Sequence, residues 1–373
     1  TGKPVLFNAR RYVGNQTNRD INGYGFVPDF VWIKCRDTAI NHCLFDSLRG
    51  ATKQIDANTS GAQSTQATML TAFNNDGFSH GTDTAGNKTD DGFIAWAWKA
   101  GGVPSADGKK IVDGVESNAV SGTDYGAISG TTPFRNVRQS INTAGGFNIT
   151  KFRLGDIGTS GSFEGSWFKH GLGSSATDDP DFFIIKNISQ AQNWFVWHSG
   201  TGAWSSANGG AVLNTNAAFA GSNVGSLFKD TTTSGMPTGD GKVWIDQRAM
   251  FAAGVDEDFV CYTWKAVPGV SAFGTYDGAV ATRTITTNFE PSFLIIKRKD
   301  GAGAWYMYDK SRGTAQTSSD YTNSPYLVAN ESNTEATTDG WHVQFQSNGF
   351  HIPDWNRTGI NNNGESYVYM AWA

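Results

Sequence analysis

Two stretches of the chain set a carboxylate three residues before a guanidinium and close on glycine: Asp46-Ser47-Leu48-Arg49-Gly50 and Asp309-Lys310-Ser311-Arg312-Gly313. At this spacing the two charges can pair across a turn at a strand end, with the glycine taking a positive φ. The same charges on a loop can clamp a polar ligand, because binding residues favour loops. Where a third copy is expected the chain reads His198-Ser199-Gly200. A site built from Asp and Arg is therefore incomplete at that place.

A second kind of chemistry is offered by aromatic residues set among polar ones. Trp167 precedes Phe168-Lys169-His170, Trp204 lies in Gly202-Ala203-Trp204-Ser205-Ser206, and Trp355 lies in Pro353-Asp354-Trp355-Asn356-Arg357. A Trp in such a setting presents a flat apolar face to a sugar ring while its neighbours supply hydrogen bonds. The same rings can instead cover a sheet end or a subunit contact. Trp167, Trp204 and Trp355 are the candidate ligand-binding residues, and Asp46, Arg49, Asp309 and Arg312 form the candidate structural motif.

Other chemistries find little support. The six His, at 42, 80, 170, 198, 342 and 351, lack the close spacing and third ligand of a zinc site. Asp90-Asp91, Asp178-Asp179-Pro180-Asp181 and Asp256-Glu257-Asp258 lack the spacing of a calcium loop and read as solvated turns. There is no Gly-x-Ser-x-Gly elbow and no phosphate-loop lysine. A glycosidase pair of carboxylates cannot be chosen without coordinates. No metal, no cofactor and no catalytic residue is assigned.

The elements that must position these residues are written three times. Pro28-Asp29-Phe30-Val31-Trp32-Ile33-Lys34 returns as Pro180-Asp181-Phe182-Phe183-Ile184-Ile185-Lys186 and as Pro291-Ser292-Phe293-Leu294-Ile295-Ile296-Lys297. Each phrase is followed by a hairpin partner and later by an aromatic closing strand, Phe93 to Lys99, Phe259 to Lys265 and Tyr367 to Ala373. Landmarks repeated in one order make the chain an array. The phrase is apolar at successive positions, as in a central strand covered on both faces. Its proline marks the strand start, and its lysine reads as a cap with the ammonium in solvent.

These landmarks divide the chain into a first unit over 1–102, connecting strands and loop over 103–142, a second unit over 143–267 and a third over 268–373. A long surface loop is expected at 200–241 inside the second unit. Asn75-Asp76-Gly77 and Ser347-Asn348-Gly349 signal primed two-residue hairpin turns. The polar run Ser64 to Phe73 is the best helical candidate, and it is weak. Cys35 and Cys43 fall opposite each other if their hairpin turns at Ala39, which permits a disulfide. Two small buried hydrophobes are the preferred reading.

Across 373 residues, aromatics reach 13% and charged residues only 17%, with 45 Gly to supply turns. This composition favours strands over surface helices. The expected fold class is all-β: three tandem β-sandwich units, jelly-roll or lectin-like, with long Gly/Ser/Asn-rich loops. A net charge of −5, with Lys and Arg scattered singly, gives no footprint for nucleic acid. No apolar run approaches about 18 residues, so no membrane insertion is expected. Three Cys fit folding in a reducing cytoplasm. Thr1 is not an initiator Met and reads as the start of a processed chain or of a piece of one.

Read in order, Gly25 to Lys34, Leu44 to Lys53, Asp76-Gly77-Phe78, Ile94 to Gly102, Asn142 to Phe147 and His170 to Gly173 resemble a known series. It is that of the tandem β-repeat domains in virion structural and tail-fibre proteins of marine phages, especially those of cyanobacteria. The resemblance implies a virion component assembled in a bacterial cytoplasm, a tail fibre or exterior decoration without catalysis. Its implied partners are other virion proteins, further copies of itself with a trimer favoured, and host surface glycan. The competing expectation is a depolymerase of host polysaccharide.

Overall fold

The repeated phrase forms a strand in each case, Phe30–Cys35, Phe182–Asn187 and Phe293–Arg298. The computed structural model describes residues 5–127, 134–155, 166–173, 178–201, 210–219, 241–245, 256–313, 324–337, 341–352 and 359–373. Among them are twenty-eight strands, one four-residue helix at Thr84–Asn87 and one 3-10 turn at Ser199–Thr201. The fold is all-β.

Each phrase strand lies between its closing strand and its hairpin partner, antiparallel to both. The register is the same three times. Phe30 faces Trp98 and Asp46, Phe182 faces Trp264 and His198, and Phe293 faces Trp372 and Asp309. The residue after the proline donates its backbone N–H to the final tryptophan carbonyl in every case, from Asp29 at 2.9 Å, Asp181 at 2.9 Å and Ser292 at 2.7 Å. The proline lacks an N–H and stands where no ladder donor is needed.

The large sheets carrying these strands have six, eight and five strands, and three further sheets have three strands each. Alternation explains why the phrase is apolar throughout. Val31, Ile33 and Cys35 share a core with Ile21, Leu70 and Phe78 of one three-stranded sheet. Phe183 and Ile185 do so with Phe168 and Val243 of another, and Leu294 and Ile296 with Ile285 and Phe350 of the last. The alternate residues Phe30, Trp32, Phe182, Ile184, Phe293 and Ile295 all enter one central core.

That core joins the three large sheets. Trp98, Trp264 and Trp372, the last residues of the closing strands, meet in a triangle with ring centroids 6.1, 5.6 and 5.7 Å apart and tilts of 68–77°. Around it Phe7 lies beside Phe293 at 5.6 Å, Phe147 beside Phe30 at 6.1 Å and Phe273 beside Phe182 at 6.0 Å. Each sheet thus lends an aromatic ring to the next, and the third returns to the first. Each such pair adds about 0.5–1.5 kcal/mol beyond burial, and the order is that of a closed ring.

Several expectations are corrected. Lys109–Val112, Val115–Asn118 and Phe134–Asn142 hydrogen-bond into the second large sheet, and Tyr125–Ala127 joins a small sheet with Ser166–Lys169. Three strands of the stretch 103–142 thus extend the second large sheet; each large sheet and the three-stranded sheet that shares its core make up one body. Within the insertion 200–241, Gly210–Val212 is an edge strand and Leu213 and Phe219 are buried in the central core, so that part is not surface loop. The run Ser64 to Phe73 contains strand residues Ser64–Thr65 and enters the strand Leu70–Asn74. In the first hairpin Cys43 faces Ile33, two residues from Cys35. All three Cys are free and buried, as preferred from their number.

The hairpins at 75–76 and 347–348 have two-residue loops, because Asn74 pairs with Gly77 and Gln346 with Gly349. None of the four loop residues has a positive φ, so the turns are not primed. The glycines serve close approach instead. A Cβ at Gly77 would lie 1.9 Å from the Ile21 carbonyl oxygen, and one at Gly349 would lie 2.0 Å from that of Ile285. Gly77→Ala and Gly349→Ala are each expected to cost about 1–3 kcal/mol in chemical denaturation. Gly61→Ala, with an ordinary 3.4 Å contact, is the neutral comparison.

Candidate functional site

The Asp-x-x-Arg-Gly copies end the strands Cys43–Asp46 and Trp305–Asp309. Both ion pairs have fully buried side chains. The backbone N–H of Arg49 donates to Asp46 Oδ1 at 2.8 Å and its Nε donates to Oδ2; Arg312 does the same to Asp309. Gly50 and Gly313 take φ of 96° and 111°. Each carboxylate also accepts a bond from a neighbouring closing strand: Tyr262 Oη donates to Asp46 at 2.7 Å, and Trp96 Nε1 to Asp309 at 3.0 Å. In the second copy neutral His198 does the work. Burial pushes its pKa down to about 4, its Nδ1 accepts from the Gly200 N–H at 2.9 Å, and its Nε2 donates to the Tyr369 carbonyl at 3.1 Å. The substitution of Asp by His keeps the contact with the next sheet and removes the need for an arginine.

The lysines that end the phrases are not at a solvent edge. Lys34, Lys186 and Lys297 are all 0% exposed. Each donates to the carbonyl of the following residue and to a carbonyl from another sheet's loop. Lys34 reaches Ser332 at 3.1 Å, Lys186 reaches Ser60 at 3.1 Å, and Lys297 reaches Asn216 at 3.4 Å. Lys186 adds Gln192 at 2.7 Å. Burial lowers Lys34 and Lys186 to about 8 and Lys297 to about 7. Beside them Trp194 Nε1 donates to the Asp56 and Thr59 carbonyls, and Trp305 Nε1 to those of Val212 and Thr215. Bidentate pairing of Arg36 with Glu335, at 2.8 and 2.6 Å, closes the third body onto the first.

Of the three candidate aromatic residues, Trp167 lies among the described residues. Trp167 is not stranded in a loop: it lies on the strand Ser166–Lys169, 8% exposed, beside Trp244 and beneath Lys242 Nζ at 4.4 Å. Trp204 and Trp355 lie outside the described residues. Of the acidic turns, Asp258 pairs with Arg153, Asp256 with Arg135, and Glu257 accepts from Asn187. Among the described residues no group of His, Cys, Asp and Glu is arranged to hold a metal.

One open cleft, of about 660 Å³, lies where the first body meets the second. Its lining combines Val27, Phe73 and Val103 with Asp29, Lys99 and Asn142. Asp29 is 3% exposed; its Oδ1 accepts from Ser47 Oγ and its Oδ2 from the Ala100 N–H, both at 2.8 Å. Burial pushes its pKa up, against those two bonds and the charge of Lys99. The Asn142 amide donates to the Lys99 carbonyl at 3.1 Å and accepts from Gly145 at 2.9 Å. The cleft is not legible in the sequence, because its residues come from seven separated stretches of the chain. The proline phrase that carries Asp29 was the one signal.

A family model described as a domain of unknown function, DUF7483, matches residues 4–373. The chain belongs to that family. No curated protein and no solved structure matches it. The DUF7483 match runs through all three large sheets without a break, in keeping with a core that they share. A single sheet of the DUF7483 chain cut free would expose its share of that core.

Proposed function

We propose that the protein is a non-enzymatic virion structural protein, a tail fibre or exterior decoration, made of three like-built β-sandwich units that contact other virion proteins and the host surface. The observation that supports this most is the use made of the repeated polar residues. The charged and histidine side chains that recur with the phrases are buried and bonded between units, in Asp46, Asp309 and His198 and in Lys34, Lys186 and Lys297. Side chains so engaged act as cement. The phrases that resemble phage repeat domains point to the virion.

A homotrimer is the expectation from fibre symmetry. Light scattering of the purified chain is expected to give the trimer mass, and a monodisperse monomer would count against it. Immunogold labelling of intact particles is expected to mark their exterior. Absence of label from particles would end the virion reading. Incubation with isolated host polysaccharide is expected to release no reducing ends, and release would replace a structural role with a depolymerase.

A further inference from the structure

We infer that the cleft between the first and second bodies binds a neutral sugar ring. The inference rests on the virion reading only for the source of the sugar, a host surface glycan. A volume of about 660 Å³ suits a small ligand, since such sites span about 300–1,000 Å³. The walls decide the ligand's shape and the floor its chemistry. Val27 and Val103, 38% and 53% exposed, and half-buried Phe73 give the lining its apolar surface, which suits the C–H face of a pyranose. The same lining holds an acceptor and a donor: the carboxylate of Asp29 and the ammonium of Lys99, close enough for the Lys99 charge to act on Asp29.

Charge narrows the class. A cationic ligand drawn to Asp29 meets Lys99, and an anionic ligand drawn to Lys99 meets Asp29 and Asp113, which also lines the cleft. A purely apolar ligand takes water from the Lys99 ammonium and gives it no partner, which is costly. Vicinal hydroxyls donate and accept together, so they satisfy both groups at once.

Comparison with the repeat supports a special role here. Lys265, at the position of Lys99, donates to the Asp179 carbonyl at 3.2 Å and lies 3.7 Å from Asp178. The third copy has Ser292 and Ala373 at the places of Asp29 and Lys99. The Lys99 ammonium makes no hydrogen bond or ion pair among the described residues. Only the first copy combines a buried Asp with a lysine left available.

The test is protein-observed NMR of the full chain titrated with glucose, galactose and mannose, with butylamine and butyrate as charged probes. At least one hexose is expected to shift resonances at the cleft more strongly than either charged probe. Lys99→Met should weaken that binding about tenfold or more, the effect of losing a charged hydrogen bond. Ala144→Trp, on an exposed turn at the cleft mouth, should abolish it while the folded spectrum is kept. The inference is overturned if no hexose binds, if butylamine or butyrate binds more tightly than every hexose, or if binding survives Ala144→Trp. A hexose-binding chain missing from particles would sink the virion reading and leave the cleft standing. A particle protein that binds no hexose would do the reverse.

Discussion

Replacing Arg312 with Met is expected to destabilise the protein by about 3–5 kcal/mol, the cost of leaving one partner of a buried ion pair alone. Asp309 would keep the Trp96 indole at 3.0 Å and the backbone N–H of residue 312 at 2.8 Å, but no cation. The Met307 carbonyl, 2.9 Å from Arg312 Nη2, would lose that donor. Because Trp96 belongs to the first body and Asp309 to the third, the loss falls on the contact that closes the ring. Asp309→Asn combined with Arg312→Met is expected to cost less than Arg312→Met alone, since no buried charge is then uncompensated. The second body already manages this way, with neutral His198 bonded to Tyr369. Denaturant midpoints of wild type, single and double variants make the comparison. A single-variant loss under about 1 kcal/mol, or a double variant no better than the single, would show that the pair does not cement the bodies.

The all-β class and the three equivalent central strands were legible because both rest on short-range pattern. The spacing from the phrase to its closing strand sets Phe30 against Trp98 just as it sets Phe293 against Trp372. What the sequence hid lies between bodies. Lys34 looks like a solvent cap when its own strand is read alone, and it is buried because a loop carrying Ser332, nearly the whole chain away, lies over it. Phe219 stands alone in a polar stretch, yet it packs on Trp305 at 5.6 Å. Trp167 misled for the same reason, since its cover comes from Trp244 and Lys242 on a strand far along the chain. The cleft at Asp29 combines the end of one closing strand with turns at 113–114 and 142–144. No local period records that meeting.

The buried lysines carry a second large expectation: the protein grows more stable as pH rises from about 6 to about 9. Burial holds Lys34 and Lys186 to about 8 and Lys297 to about 7, against an ordinary 10.5. Between those limits the unfolded chain binds more protons than the folded one, so raising the pH favours folding. Each lysine can add up to about 1.4 kcal/mol per pH unit within that interval. His42, His80 and His198, all lowered by burial, act with the same sign below 6.5. Asp29 and Asp56, raised by burial, oppose this on the acid side. Above 9.0 the rise is offset, because thiols ionise in the unfolded chain while Cys35, Cys43 and Cys261 are held protonated by burial. The maximum should therefore lie on the alkaline side of neutrality, and Lys297→Met should flatten the rise leading to it. Urea midpoints measured across this range test both statements. A profile that is level from about pH 7 to about pH 9 would mean that the carbonyl oxygens of Ser332, Ser60 and Asn216 outweigh burial and keep all three ammonium groups charged.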